Sequence, residues 1–233
     1  MTDHRRIAAV VPAEPVNMGG LVVKQPLPAG GVDQIDPFLL LHHARIAFRG
    51  GQHPRGLGVP PHPHRGFEPV TFIYRGGVHH RDSLGNDSVI REGGVQWMMA
   101  GSGVVHSERP PATLAEEGGV QEIIQLWINL PERHKMTAPR YQSLTAEATP
   151  TVTSADGRVR VAVVAGALDG AEGPIGTHSP LLALNATFEA GGQHAFALPA
   201  GHNAFAYLLD GRLRVNEERW GRRRRSSARP RSR

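Results

Sequence analysis

The chain has 233 residues, enough for one large domain or two small ones. It contains no cysteine, which excludes disulfides, thiolate metal sites and a cysteine nucleophile and leaves only nitrogen and oxygen ligands for any metal. The net charge of +5 belongs to the end of the chain: residues 219–233, RWGRRRRSSARPRSR, carry eight Arg and no acid, and without them the balance falls to −3, which argues against a body built to bind nucleic acid.

From the N-terminus, MTDHRRIAAVVPAEPV has a short apolar patch broken by Pro12 and Pro15, without the apolar core of a signal peptide. No run of about 18 apolar residues follows, so no membrane span is expected, and the expected location is the cytoplasm. Gly and Pro together make up about a fifth of the chain and favour short elements joined by turns. Strands are predicted at 20–24, 37–42, 68–74, 87–91, 95–100 and 121–130, each a short apolar or alternating run bounded by turn residues. Residues 131–157, with PERHK, TAEATP and Asp156-Gly157, read as a linker with little strand character. A second series of strands is predicted at 158–165, 181–189, 194–198, 203–209 and 212–216. Many short strands with frequent turns point to an all-β sandwich or barrel. Weak self-similarity between residues 72–76 and 206–211 fits two related barrels in tandem, although chance accounts for it equally well. The tail at 219–233 is expected to be disordered and solvated.

Two motifs carry chemistry. In GLGVPPHPHRGFE (residues 56–68), His62 and His64 stand at i and i+2, and Pro63 between them holds the segment extended. Side chains two apart on a strand share a face, so two imidazoles point the same way. In GSGVVHSE (101–108), His106 and Glu108 repeat that spacing after a glycine turn. The pairs are 44 residues apart, far enough for intervening strands to close a barrel and bring them together. Three imidazoles and a carboxylate then suit one ion with positions left open for substrate or dioxygen, as in non-haem iron sites. The other histidines, His42, His43, His79, His80, His134, His178, His194 and His202, are expected to be structural or solvent-facing.

HPHRGFEPVTFIYRGGVHHRDSLGN (62–86) followed by GGVQWMMAGSGVVHSE (93–108) resembles the pirin family of the cupin superfamily, supported by DPFLLLHH (36–43), QLWINLP (125–131) and KMTAPRYQ (135–142). The resemblance covers roughly residues 17–216. It implies two tandem cupin (jelly-roll) barrels: a metal-binding barrel in 1–135, a linker at 136–157 and a metal-free barrel in 158–218. The arginine-rich stretch replaces the strands that family members carry after residue 216, so the second barrel is expected to be incomplete, from truncation or a frame shift. The implied ligands are His62, His64, His106 and Glu108, and the implied ion is Fe(II), with other divalent transition metals as alternatives. Glu68, at a position where many cupins place a carboxylate ligand, is expected to neighbour the site instead, and Arg65 and Gln96 are expected to line the pocket. The implied activity is that of quercetin 2,3-dioxygenases, which open a flavonol with O2 and release carbon monoxide, with Glu108 as the base. The alternative implied by the resemblance is a regulatory protein whose metal governs binding to a transcription factor or metabolic enzyme. A third possibility is a cupin whose site is vestigial or takes another small molecule.

Overall fold

The computed structural model describes residues 4–216 and, as backbone only, 218–221. Half of the chain is strand and 6% is helix, so the expected all-β class is found. The first strands are β1 (Glu14–Met18), β2 (Leu21–Leu27), β3 (Phe38–Phe48), β4 (Val59–His64), β5 (Phe67–Arg75), β6 (Gly77–Asp82) and β7 (Asp87–Arg91). β8 (Val95–Met99), β9 (Val104–Arg109), the short helix α1 (Ala112–Glu117) and β10 (Gly119–Asn129) follow. The remainder holds β11 (Arg140–Leu144), β12 (Thr151–Thr153), β13 (Val159–Leu168), β14 (Ala171–Pro174), β15 (Ala183–Phe188), β16 (Arg212–Val215) and β17 (Glu218–Gly221).

Two sheets enclose the first core. One has the order β1-β2-β3-β10-β5-β8-β11, the other β4-β9-β6-β7. Their facing side chains meet: Glu108 on β9 accepts hydrogen bonds from Thr71 on β5 and Gln125 on β10. The strands between are apolar because both of their faces are covered. Every residue of β8, VQWMM, is buried, and Trp97 is wholly so. Ile73, Val78 and Ile90 form one apolar cluster with Ile123 and Tyr141, and Met98, Ala100 and Val104 form another.

A third sheet gathers β12, β14 and β15 around β13. The alternation of β13 sends Val159, Val161 and Val163 inward, fully buried against Val152, Leu184 and Phe188. By compactness Val11–Ala197 is one unit, and the described residues before 11 and after 197 form another. In the second unit the Arg5 guanidinium donates to the carbonyls of Pro199, Ala200 and His202, and Asn216 donates to the carbonyl of Arg5 at 2.8 Å.

Three stretches differ from the sequence reading. The expected linker at 136–157 contains β11, which pairs with β8 from Arg140↔Met99 to Leu144↔Val95 and extends the first sheet. Arg140 and Gln142 then donate to the carbonyl of Gly176 at 2.6 and 3.1 Å, so this stretch joins the two expected barrels within one unit. The expected strands at 194–198 and 203–209 carry no strand geometry; alternation is a property of one segment, whereas a ladder also needs a partner in register. Finally, β17 runs three residues into the expected tail. It pairs with β16 through a tight turn in which Asn216 takes φ +53°, a left-handed conformation that Asn tolerates. Residues 222–233, the rest of that tail, lie outside the described residues. No helix among the described residues is long and apolar enough to cross a membrane.

Candidate metal centre

β4 and β9 are neighbours, and their register places His62 directly opposite His106 and His64 opposite Val104. The two motifs read from the sequence are therefore ladder partners. Glycines make the close approach possible. Gly58 (φ +71°) enters β4 where a Cβ would strike the carbonyl oxygen of Glu108, and Gly101 (φ +49°) turns toward β9 where a Cβ would strike that of Thr137.

Among the described residues, ring nitrogens of His62, His64 and His106 all lie within 4.8 Å of one another. Their ring centroids are 4.4–4.9 Å apart. His64 and His106 are buried, and His62 is half-buried. Hydrogen-bond partners fix the protons. His62 Nδ1 lies 2.8 Å from the carbonyl oxygen of Pro60, which can only accept, so Nδ1 carries the hydrogen and Nε2 is bare. That bare nitrogen is 3.0 Å from His106 Nε2, and the buried Nε2 of His64 has no hydrogen-bond partner. Burial and the neighbouring His62 lower the pKa of His64 to about 4. Burial, and then the three surrounding imidazoles, lower that of His106 to about 2 against the opposing pull of Asp82. Neutral imidazoles converging with unused lone pairs are the donor set of a transition-metal ion, and they fit one.

Glu108, two residues beyond His106, is buried but stands outside that close group. Its Oε1 accepts from Thr71 Oγ1 at 3.1 Å and from Gln96 Nε2, and its Oε2 from Gln125 Nε2 at 2.8 Å. A carboxylate offers about four acceptor sites; the one left over is on Oε2. Gln96, expected at the pocket, is thus placed as a holder of Glu108. Glu68 is buried, stands outside the three-histidine group and accepts from Trp97 Nε1 at 2.6 Å. Its burial raises its pKa, against the Trp97 hydrogen bond and the charge of Arg140. Arg65 points outward to Met136 Sδ (3.2 Å) and, with Gly66, Glu132, Lys135 and Met136, lines a surface cavity of about 470 Å³.

The structure adds residues that the sequence reading passed over. Phe67 and Trp127 pack with centroids 4.5 Å apart and planes tilted by 36°, and both lie edge-on to His64 at 5.1 and 5.4 Å, giving the histidines an aromatic wall. Trp127 Nε1 donates to Gln125 Oε1 at 3.2 Å, which ties that wall to the residue holding Glu108. His80, expected to be structural or solvent-facing, is fully buried behind His106. A signal was available: Thr71 and Gln125 interrupt apolar stretches of their strands, PVTFI and IIQLWI, and a buried polar side chain needs a partner.

The family model for pirin matches residues 20–128. A Pseudomonas aeruginosa protein whose name provisionally assigns it as a quercetin 2,3-dioxygenase is 44% identical over 185 residues, 79% of this chain and 64% of that relative. A pirin-like protein of Caulobacter vibrioides is 38% identical over 217 residues, 91% of this chain and 75% of its own. The crystal structure of quercetin 2,3-dioxygenase from Acinetobacter baumannii superposes with a TM-score of 0.82 at 36% identity, covering 91% of this chain and 74% of the other. The chain spans somewhat under two thirds of the first of these relatives. With the matched strands carrying both histidine motifs in the same order as the fold requires, the chain belongs to the pirin family.

Proposed function

We propose that the chain is a metal-dependent dioxygenase that opens flavonols such as quercetin with O2, with Fe(II) as its ion. The observation that carries the metal centre is the pair of imidazole nitrogens 3.0 Å apart beside a third, unpartnered one. With the His106 hydrogen on Nδ1, two lone pairs face each other there, an arrangement that a cation relieves. His62, His64 and His106 would hold the ion, with Glu108 as the fourth ligand through the free acceptor site on Oε2. When bound, iron supplies the Lewis acidity and the redox chemistry that a reaction with O2 requires.

The protein's own residues do the rest. Phe67 and Trp127 offer an apolar aromatic wall to an aromatic substrate. When Oε2 is not engaged with the ion, Glu108 is the base for the flavonol 3-hydroxyl: the donors on Oε1 hold the carboxyl group in place while the free site on Oε2 takes the proton. The relatives named for quercetin 2,3-dioxygenase support the substrate class.

Elemental analysis of the purified protein tests the metal. Anaerobically iron-loaded protein, given quercetin and O2, is expected to bleach the flavonol band and release carbon monoxide. The double variant His62→Ala, His64→Ala is expected to lose both metal and turnover while keeping the cooperative melt of the first core. Equal turnover by that variant would overturn the proposal. An iron-loaded wild type that leaves quercetin intact would remove the flavonol assignment.

A further inference from the structure

Two ionisable side chains buried behind the histidine cluster have no part in the proposed chemistry. His80 on β6 is fully buried and stacked on Tyr141, with centroids 4.1 Å apart and planes 12° apart. Its Nε2 is 3.0 Å from Asp82 Oδ2, and both side chains are wholly shielded from solvent. Its Nδ1 is 3.4 Å from Nδ1 of His106. β9 lies between β4 and β6, with Asp82 opposite His106 and His80 opposite Glu108, so the contacts follow from the ladder itself.

Asp82 is built to be ionised. Its Oδ1 accepts from the amides of Leu84 and Asn86 at 2.9 and 3.0 Å, and its Oδ2 from Asn86 Nδ2 at 2.8 Å. Four donors surround it, counting His80, and an ionised carboxylate accepts only. The proton positions then follow in order. His80 carries its hydrogen on Nε2, directed at Asp82. When that is the one hydrogen His80 carries, its Nδ1 holds a lone pair, and the hydrogen in the contact with His106 comes from His106 Nδ1. The lone pair of His106 is left on Nε2, the atom that faces His62.

We propose that Asp82 and His80 are positioning residues that hold His106 as its Nδ1–H tautomer and lend it the negative charge of Asp82, making it a stronger donor than its burial alone would leave it. This rests on the metal-centre reading above. The contrast lies within the site: His62 is backed by the neutral carbonyl of Pro60, whereas His106 is backed through His80 by a buried charge. Partners behind a ligating histidine typically govern metal affinity by about 10- to 100-fold.

The test is Asp82→Asn in the full chain. Asparagine keeps an acceptor for the amides of Leu84 and Asn86 but removes the charge. Co(II) affinity, read by ligand-field absorption under chelator competition, is expected to fall about 10- to 100-fold. The Fe(III)/Fe(II) potential is expected to rise, because removing a nearby negative charge disfavours the more positive ion. Asp87→Asn is the control. Asp87 accepts from His79 at 2.6 Å and Arg81 at 2.8 Å on the outward face of the same hairpin, with no link to His106; its affinity and potential are expected to match the wild type. Should Asp82→Asn fail to fold, nitrogen-15 NMR of the metal-free wild type decides instead, with hydrogens expected on Nδ1 of His106 and Nε2 of His80. Opposite tautomers, or a folded Asp82→Asn with wild-type affinity and potential, would overturn the positioning role alone. A wild type that binds neither Co(II) nor Fe(II) would overturn the metal centre and this role with it.

Discussion

Glu68 and Glu108 are both buried, 3% and 7% exposed, yet they are solvated in different ways. Glu108 receives three side-chain donors, which keep an anion at ease inside a protein. Glu68 receives one, the indole of Trp97. On the proposed function, the difference separates the carboxylate that takes part in the chemistry from one that anchors a core side chain. Removing the indole nitrogen in Trp97→Phe leaves a buried oxygen of Glu68 unsatisfied, a cost of about 1–3 kcal/mol beyond the lost packing. In a Glu68→Met background the same change is expected to cost less, with a coupling of at least ~1 kcal/mol from urea denaturation of the four proteins in the cycle. Additive losses would show that the hydrogen bond contributes nothing.

Strand entry and exit set the geometry of the centre at the next scale. Gly101 sits at φ +49° with its α-carbon turned toward the carbonyl of Thr137, and Gly66 donates to the carbonyl of Gly101 at 2.8 Å. One turn thus fixes the end of β4 and the approach to β9. Gly101→Ala adds left-handed backbone strain of about 1–2 kcal/mol, and the clash adds to it. The variant is expected to melt well below the wild type and to bind Co(II) more weakly, because β4 and β9 lose their register; an unchanged melt and affinity would rule out a role for this turn. The sequence shows this element well, since HxH and HxE spacing on extended chain already places each pair on one face. It does not show that the pairs lie opposite each other, because a ladder joining residues 44 apart depends on how the strands between them fold. The His79-His80 dyad shows the same limit. One of two adjacent strand residues must face inward, but only the pairing of β6 with β9 selects His80. β11 was hidden because Arg140–Leu144, RYQSL, has little apolar character, and edge pairing with β8 supplies what composition lacks.

For the whole molecule, the cluster carries a pH dependence that binding of an ion would alter. Unfolded imidazoles titrate near 6.5, whereas burial brings His64 down to about 4 and His106 to about 2. Between those values the unfolded chain takes up protons that the folded chain refuses, so stability rises with pH and is lost as pH falls from about 6.5 toward 4. For His64 alone the shift corresponds to about 3 kcal/mol across that window. Metal-free protein is therefore expected to melt at steadily lower temperature from pH 7 to pH 4.5, and His64→Gln is expected to flatten that slope. Adding Co(II) at pH 7 is expected to raise the melting temperature, since an ion bound only by the folded state stabilises it by mass action. That gain should shrink toward pH 4.5 as protons compete for the same nitrogens. Melts of wild type and His64→Gln, with and without Co(II), measure all of these slopes. A slope that His64→Gln leaves unchanged would mean that His64 is not the group that resists protonation.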